Sequence, residues 1–425
     1  MSNAGFDPAR LAQMRAAMQR FVDSGDVAGI VMLTWRHGEI AHADALGWRD
    51  LDDRTPMTRD TLFRIASMTK PVTSVAALML VEEGRIALES PVAQWLPELE
   101  RVTVMLDPEG PLSQTEPLRA PITLLDLMTH RAGLAYHFTA AGELAHAYES
   151  VFNGFDSKVD ASRWLEHVAN LPLMFQPGMR WHYSVATDVI GALVQRVSGM
   201  PLGDFFRTRI FEPLGMTDTG FSVTPAQAAR LATSYAVDAS TGRPIVEDHP
   251  SSSRWLDASR FQSGGGGLVS TADDYLRFAR MLLGRGRLQG DAAERAQGPR
   301  LLSHKSVDLM RSNFLTPAQR EIPAFGYPVW RSQGFGLGIA IIDEPALQLS
   351  AGYRSMGSFS WPGALGTSWF ADPVEDMIGI VLIQRRAGAV SARQGIRAAG
   401  LRGHRRLNGA RARQSCCVSR SIVTS

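Results

Sequence analysis

The 425-residue chain holds only two cysteines, Cys416 and Cys417, adjacent and close to its end. Residues 1–415 therefore offer no disulfide framework, no thiolate nucleophile and no cysteine metal site. Lysine is nearly absent too: Lys70, Lys158 and Lys305 stand against 41 arginines. No apolar run approaches the ~20 residues of a membrane-spanning helix. Stretches such as Val75–Val81 are core-sized. The N-terminus lacks the apolar region of a signal peptide, so a cytoplasmic protein without membrane contact is expected. No repeat of fixed period is visible. G-x-S-x-G, H-E-x-x-H, G-x-x-x-x-G-K-[ST] and G-x-G-x-x-G are all missing, and the ten histidines show no ligand spacing. Neither a metal nor another cofactor is expected.

What is present is a globular composition, 45% apolar and 20% charged, at a length that suits two intimate subdomains. Net charge is +2, averaged over two unlike pieces. Residues 387–425 hold eight arginines and no acid, while residues 1–386 carry 36 basic and 42 acidic groups, a charge of −6. The body has no nucleic-acid footprint. The basic tail could bind nucleic acid or an anionic surface, and a solvated tail is the plainer reading. Its Ile396, Leu401 and Leu407 form no regular face, and glycines 395, 400, 403 and 409 weaken any helix there. A mobile or poorly packed end is expected over 387–425.

Leu11, Met14, Met18 and Phe21 fall at helical spacing in residues 7–23. Gly29–Trp35 and Ile40–Trp48 read as a hairpin joined across Arg36-His37-Gly38-Glu39. Ser67–Glu83 reads as a buried helix, and Ala87–Ala120 as a loop-rich stretch with five prolines. Helices are expected over Leu124–Thr129, Ala140–Val151, Ala161–Ala169, Val185–Val197, Leu202–Ile210 and Thr271–Leu283, with Gly264–Gly267 as a flexible joint. Strands are expected over Gly334–Ile342, Ser350–Phe359, Gly366–Ala371 and Met377–Gln384. The implied architecture is α+β: one antiparallel sheet built from both chain ends, residues 1–85 and 262–386, with flanking helices. A mostly helical region, 86–261, would insert between them.

Ser67-Met68-Thr69-Lys70 is the first chemical candidate. At i and i+3 on a helix, the hydroxyl and the amine share one face. A serine needs a base to attack a carbonyl, and burial or nearby positive charge makes a lysine a better base. A helix N-terminus supplies such a field and free N–H groups for an oxyanion. Arginine cannot be deprotonated in proteins, so lysine at this place in an arginine-rich chain hints at a chemical need. A surface lysine in a short chance pattern fits the same four residues. Tyr183, after the Phe175–His182 turn and before an apolar helix, could relay protons beside a lysine; a packed aromatic is the plainer reading. Trp361-Pro362-Gly363-Ala364 places a proline within an expected strand, which suits an open edge whose Ala364 N–H meets an oxyanion. A strand-end turn fits equally. His130 and His182 read as satisfied structural residues rather than bases.

Four motifs in order resemble serine β-lactamase-like proteins: Ser67-Met68-Thr69-Lys70, Leu127-Met128-Thr129-His130-Arg131-Ala132-Gly133-Leu134, Pro177-Gly178-Met179-Arg180-Trp181-His182-Tyr183-Ser184 and Gly265–Asp274. The chain resembles class C β-lactamases, and more closely the family VIII carboxylesterases, from about residue 7 to about 386. The resemblance implies a β-lactamase/transpeptidase-like fold and an acyl-enzyme on Ser67. Lys70 and Tyr183 would be the base pair, and the N–H groups of Ser67 and Ala364 the oxyanion hole. Trp361-Pro362-Gly363 stands where the lactamases carry K-T-G and many of these esterases W-G-G, and Pro362 departs from both. The lactamases carry asparagine two residues after the tyrosine, where this chain has Val185. Val185 and Trp361 would line an apolar pocket instead of binding a β-lactam amide and carboxylate. The expectation is a serine esterase of short-chain carboxylic esters, with a small-molecule ester as substrate, no nucleic-acid or membrane partner, and an oligomeric state the sequence leaves open. A β-lactamase, a D-amino-acid-specific peptidase or amidase, and a non-catalytic scaffold are the alternatives.

Overall fold

The computed structural model describes residues 4–153, 158–238, 240–289, 298–348 and 354–386. The expectations for the tail, 387–425, lie outside the described residues, as does the start of the strand expected over 350–359.

Eight antiparallel strands form one sheet: β1 Gly29–Arg36, β2 Glu39–Asp50, β3 Thr55–Pro56, β4 Gln333–Phe335, β5 Ala340–Ile342, β6 Phe359–Ser360, β7 Ser368–Asp372 and β8 Met377–Leu382. Across the sheet they run β4-β5-β6-β7-β8-β1-β2-β3. The two ends of the chain meet where β1 pairs with β8, from Val31 opposite Leu382 to Arg36 opposite Met377. The expected sheet from both chain ends is therefore present. His37 and Gly38 both take positive φ, 52° and 92°, giving the tight hairpin turn whose twist matches the strands.

Strand β1 is buried on both faces, and its alternation assigns each side chain a layer. Ile30 and Met32 face helix α1, Pro8–Asp23, where they cluster with Met18. Val31, Leu33 and Trp35 belong to the main core. Asp7 caps α1 by accepting from the Ala9 N–H, with Pro8 at its first position. In the main core lies α2, Thr69–Glu82, buried from Thr69 through Leu80, with Thr69, Lys70, Thr73 and Ser74 as its buried polar residues. It packs against α3, Ala186–Ser198. Helix α4, Ala272–Leu283, is capped by Thr271 and lies against β8, β1 and β7.

The structure differs from the sequence reading in several places. Gly334–Ile342 is not one strand but the β4–β5 hairpin, because Gly338 turns the chain at φ 81° and the Gly336 N–H bonds the Ile339 carbonyl. The helix expected over Leu202–Ile210 is α-helical only over Leu202–Phe206 and widens into a π-turn over Arg207–Phe211. Two short hairpins lie among the central helices, Thr103–Met105 with Thr115–Pro117 and Ser234–Val237 with Pro244–Asp248. Their strands, of three to five residues, are too short to leave an alternation. Among the described residues no helix is long and apolar enough to cross a membrane.

Ile380 sits in β8, 1% exposed, between Leu33 of β1 and Trp369 of β7. Ile380→Ala opens a cavity where the two chain ends join and should lower stability by about 2–5 kcal/mol in urea unfolding.

Candidate active site

Ser67 lies just before α2 rather than on its first turn. Residues Ala66–Met68 form a 3₁₀ turn, and Ala66 takes a left-handed φ of 45° that a residue with a Cβ rarely adopts. Such a conformation persists where the surroundings over-determine it. Here Ile65 N–H bonds the Leu268 carbonyl at 3.0 Å, and Thr367 Oγ1 donates to the Ile65 carbonyl at 3.0 Å. Tyr275 Oη donates to the Met68 carbonyl at 2.9 Å, and Leu268 N–H to Thr69 Oγ1 at 3.2 Å. The turn leaves Ser67 partly exposed while Met68, Thr69 and Lys70 are buried.

Three of the expected site residues converge. Tyr183 Oη donates to Ser67 Oγ at 2.7 Å, and Lys70 Nζ lies 3.5 Å from the same oxygen. Lys70 is fully buried, and its Nζ also donates to the Gly265 carbonyl at 2.7 Å and to Tyr136 Oη at 3.0 Å. The amine stands 4.7 Å from the Tyr183 ring centroid and 5.3 Å from that of Tyr136. Trp361 Nε1 reaches Tyr183 Oη at 3.4 Å.

The remaining expectations fare differently. Pro362 is not inside a strand, because β6 ends at Ser360 and the chain leaves the sheet there. Gly363 N–H bonds the Thr367 carbonyl at 2.8 Å and closes a turn into β7. Gly363 is pressed against the Ser67 turn, since a Cβ there would stand 2.3 Å from the Ile65 carbonyl oxygen. Ala364, the next residue, is exposed. Val185 is 1% exposed and belongs to the main core, so it gives a substrate no surface to touch. Its backbone N–H instead bonds the Ala135 carbonyl and opens α3.

His130 is buried and His182 half-buried, and neither is fully satisfied: Nε2 of each has no hydrogen-bond partner. Burial, and then the Lys70 charge, hold His130 well below the ordinary imidazole range. Burial and Arg180 lower His182 to about 4. Both rings are neutral near pH 7, and His130 serves as a wall against the Tyr183 ring at 5.0 Å. Other rings around Tyr183 are Tyr136, Phe325 and Trp361, at 5.3–5.4 Å.

Two buried groups beside Lys70 escaped the sequence reading. Asp188 on α3 accepts from Gly265 N–H at 2.8 Å, from Ser263 Oγ, and from Tyr136 Oη at 3.3 Å. Burial pushes its carboxyl up, while Lys70 and these donors pull it back. Burial and the nearby Asp188 push the Tyr136 hydroxyl well above the phenol range, so it keeps its proton. A carboxylate inside the apolar run Val185–Val197 was the available signal for Asp188. Tyr136 left none. Gly264–Gly267 is no flexible joint: a Cβ on Gly264 would lie 2.8 Å from the Thr187 carbonyl oxygen, and one on Gly265 2.4 Å from Asp188 Oδ2. The glycines let this segment approach α3. Among the described residues, no group of three or more His, Cys, Asp or Glu side chains could hold a metal ion.

Gly265→Ala must displace either Asp188 or the peptide that Lys70 bonds, so a lower melting temperature and a loss of Ser67 reactivity are expected together. Gly266→Ala meets its nearest atom at 3.8 Å and should be tolerated. Thermal melts and fluorophosphonate labelling of the two variants check the contrast.

Comparison with known proteins bears on the fold and the family. The Beta-lactamase family model matches residues 14–403. Protein Rv1367c of Mycobacterium tuberculosis is 44% identical over 372 residues, covering 87% of this chain and 89% of that protein. Esterase EstB of Burkholderia gladioli is 32% identical over 380 residues, covering 85% and 87% respectively. The solved structure of EstCE1, described as a hydrolase with promiscuous acyltransferase activity, has a TM-score of 0.75 and 28% identity, covering 92% of this chain and 99% of that one. Esterase relatives on the same fold support a serine hydrolase activity. Matching sequence and matching architecture place the chain in the beta-lactamase family, as a relative of the family VIII carboxylesterases.

Proposed function

We propose that this protein hydrolyses short-chain carboxylic esters through an acyl-enzyme on Ser67. The observation that carries the reading is the pair of contacts on Ser67 Oγ, 2.7 Å from Tyr183 Oη and 3.5 Å from Lys70 Nζ. Ser67 Oγ attacks the ester carbonyl carbon, and its proton passes to the Lys70–Tyr183 pair. The same pair returns that proton to the leaving alcohol as the C–O bond breaks. Water then enters, gives a proton to the pair, and its oxygen attacks the acyl carbon. Ser67 regains a proton as the acid departs. The oxyanion of each tetrahedral intermediate is assigned to the N–H groups of Ser67 and Ala364, supported by the packing of Gly363 on Ile65.

Substrate choice follows from the surroundings of Tyr183. The rings about it are neutral, and two of them, Phe138 and Phe325, are 57% and 53% exposed. Apolar surface so close to the nucleophile suits the uncharged body of an ester. Trp361, where the lactamases carry a lysine, cannot pair with a carboxylate. Acyl transfer to an alcohol in place of water is a second outcome of the same acyl-enzyme, favoured by the likeness to EstCE1. A cytoplasmic setting belongs to this proposal and is checked by cell fractionation.

Ser67→Ala should abolish fluorophosphonate labelling and ester turnover while leaving the melt nearly unchanged. Lys70→Arg keeps a cation but cannot accept a proton, so kcat should fall at least ~10²-fold. A near-normal kcat in Lys70→Arg would reduce the lysine to an electrostatic partner.

For substrate class, p-nitrophenyl butyrate is compared with a chromogenic cephalosporin on one preparation. The cephalosporin brings a carboxylate and a side-chain amide that find no partner at positions 361 and 185. Each unpaired group costs roughly 1.5–2 kcal/mol, so kcat/KM should favour the ester by about 10²–10³-fold. Equal or higher kcat/KM for the cephalosporin would make the protein a lactamase.

A further inference from the structure

The amine of Lys70 has three positions around nitrogen besides its own carbon. Two of them point at the Gly265 carbonyl, 2.7 Å, and at Tyr136 Oη, 3.0 Å, which leaves the third for Ser67 Oγ. Both of these acceptors are tied to one carboxylate. Asp188 Oδ1 accepts from the Gly265 N–H at 2.8 Å, and Asp188 Oδ2 accepts from the Tyr136 hydroxyl at 3.3 Å. Lys70, Gly265, Asp188 and Tyr136 thus close a ring of hydrogen bonds, all of it buried.

We propose that Tyr136 and Asp188 are positioning residues for Lys70, which aim the third valence of its nitrogen at Ser67. The proposal rests on the serine-hydrolase reading and deepens it. The direction of the Tyr136 O–H is what matters. Pointed at Asp188, the phenol oxygen can only accept from Lys70, so it consumes an N–H and spares the position that faces Ser67. Pointed at Lys70, the same O–H would occupy the lone pair that a base needs. Asp188 has no proton to give in its ionised form, so it holds the phenol in the accepting orientation. Its Oδ1 arm holds the N–H of Gly265, one peptide before the carbonyl that Lys70 bonds, and so anchors that residue from its other side. The carboxylate also lies close enough to Lys70 to interact favourably with a positive charge on the amine. The N-terminus of α2, to which Lys70 belongs, opposes that charge, so the counter-charge has to come from α3.

Tyr136→Phe removes one oxygen and keeps the ring that stacks on Phe138 at 5.0 Å. Asp188→Asn keeps the shape but can donate to the phenol and turn its O–H toward Lys70. Fluorophosphonate labelling of Ser67 reads the reactivity of the nucleophile without requiring the right ester. The expected result for Tyr136→Phe is a labelling rate and a kcat for p-nitrophenyl butyrate about 10–100-fold below wild type, with KM changed less than about threefold and the melt nearly unchanged. Because both residues act through one ring, the double variant should be no slower than the slower single variant. Labelling of Tyr136→Phe within twofold of wild type would overturn the proposal. So would a double-variant loss equal to the product of the two single losses. Failure of the esterase reading looks different: wild type would label at Ser67 and not turn over the butyrate, while the labelling comparison would still decide the roles of Tyr136 and Asp188.

Discussion

A lysine amine with no exposure to solvent constrains everything around it. Removing such a group from water costs several kcal/mol unless polar partners replace the lost hydration. Lys70 finds a backbone carbonyl, a phenol and a serine, with a carboxylate behind the first two. Each partner comes from a different part of the chain: the Ser67 turn, the loop at Tyr136, α3 at Asp188 and the glycine segment at Gly265. The site therefore exists only when the central helical region is docked on the elements that carry Ser67. This explains why the segment 264–267 must be glycine-rich. Any side chain on Gly264 or Gly265 would hold the peptide away from α3 and leave the amine short of a partner.

Strain at Ala66 belongs to the same economy. A left-handed alanine is unfavourable by itself, and it is held by bonds from Leu268, Thr367 and Tyr275 to the residues on either side of Ser67. Those three residues lie at the start of the α4 segment, before β7, and on α4. The sheet and α4 thus grip the turn from one side, while Tyr183 and Tyr136 meet Ser67 and Lys70 from the other. The proposed mechanism needs such rigid support, because small displacements of a nucleophile or base are costly in rate.

Much of this was legible in residues alone, and the limits were physical. The sheet could be read because β1 and β8 are apolar enough to need burial on both faces. Ser67 and Lys70 could be read because their spacing is short and lysine is rare. Tyr183 required the resemblance, since an isolated tyrosine before a helix has a plain structural explanation. Asp188 and Tyr136 act through contacts 52 residues apart in sequence, and no local period encodes such a pair. The glycine run misled because absence of side chains permits either motion or close approach, and only the neighbours at Thr187 and Asp188 decide between them.

Val185 shows how a substitution can be read correctly in chemistry and wrongly in place. Valine cannot hydrogen-bond a substrate amide, and that part of the inference stands. Yet the side chain is sealed in the core, so it does not offer an apolar wall either. The apolar character of the cleft must then come from elsewhere. Trp361, 7% exposed, adds little open surface and packs behind, its indole N–H on the Tyr183 hydroxyl. Phe138 and Phe325 supply it, each touching the Tyr183 ring while keeping more than half of its own surface open. A phenylalanine left open to water forgoes stability that a buried one would contribute, and in the proposed ester hydrolysis a bound apolar substrate would recover it. On that proposal, selection for neutral substrates falls to these open rings, with the polar groups behind them at Lys70 and Asp188.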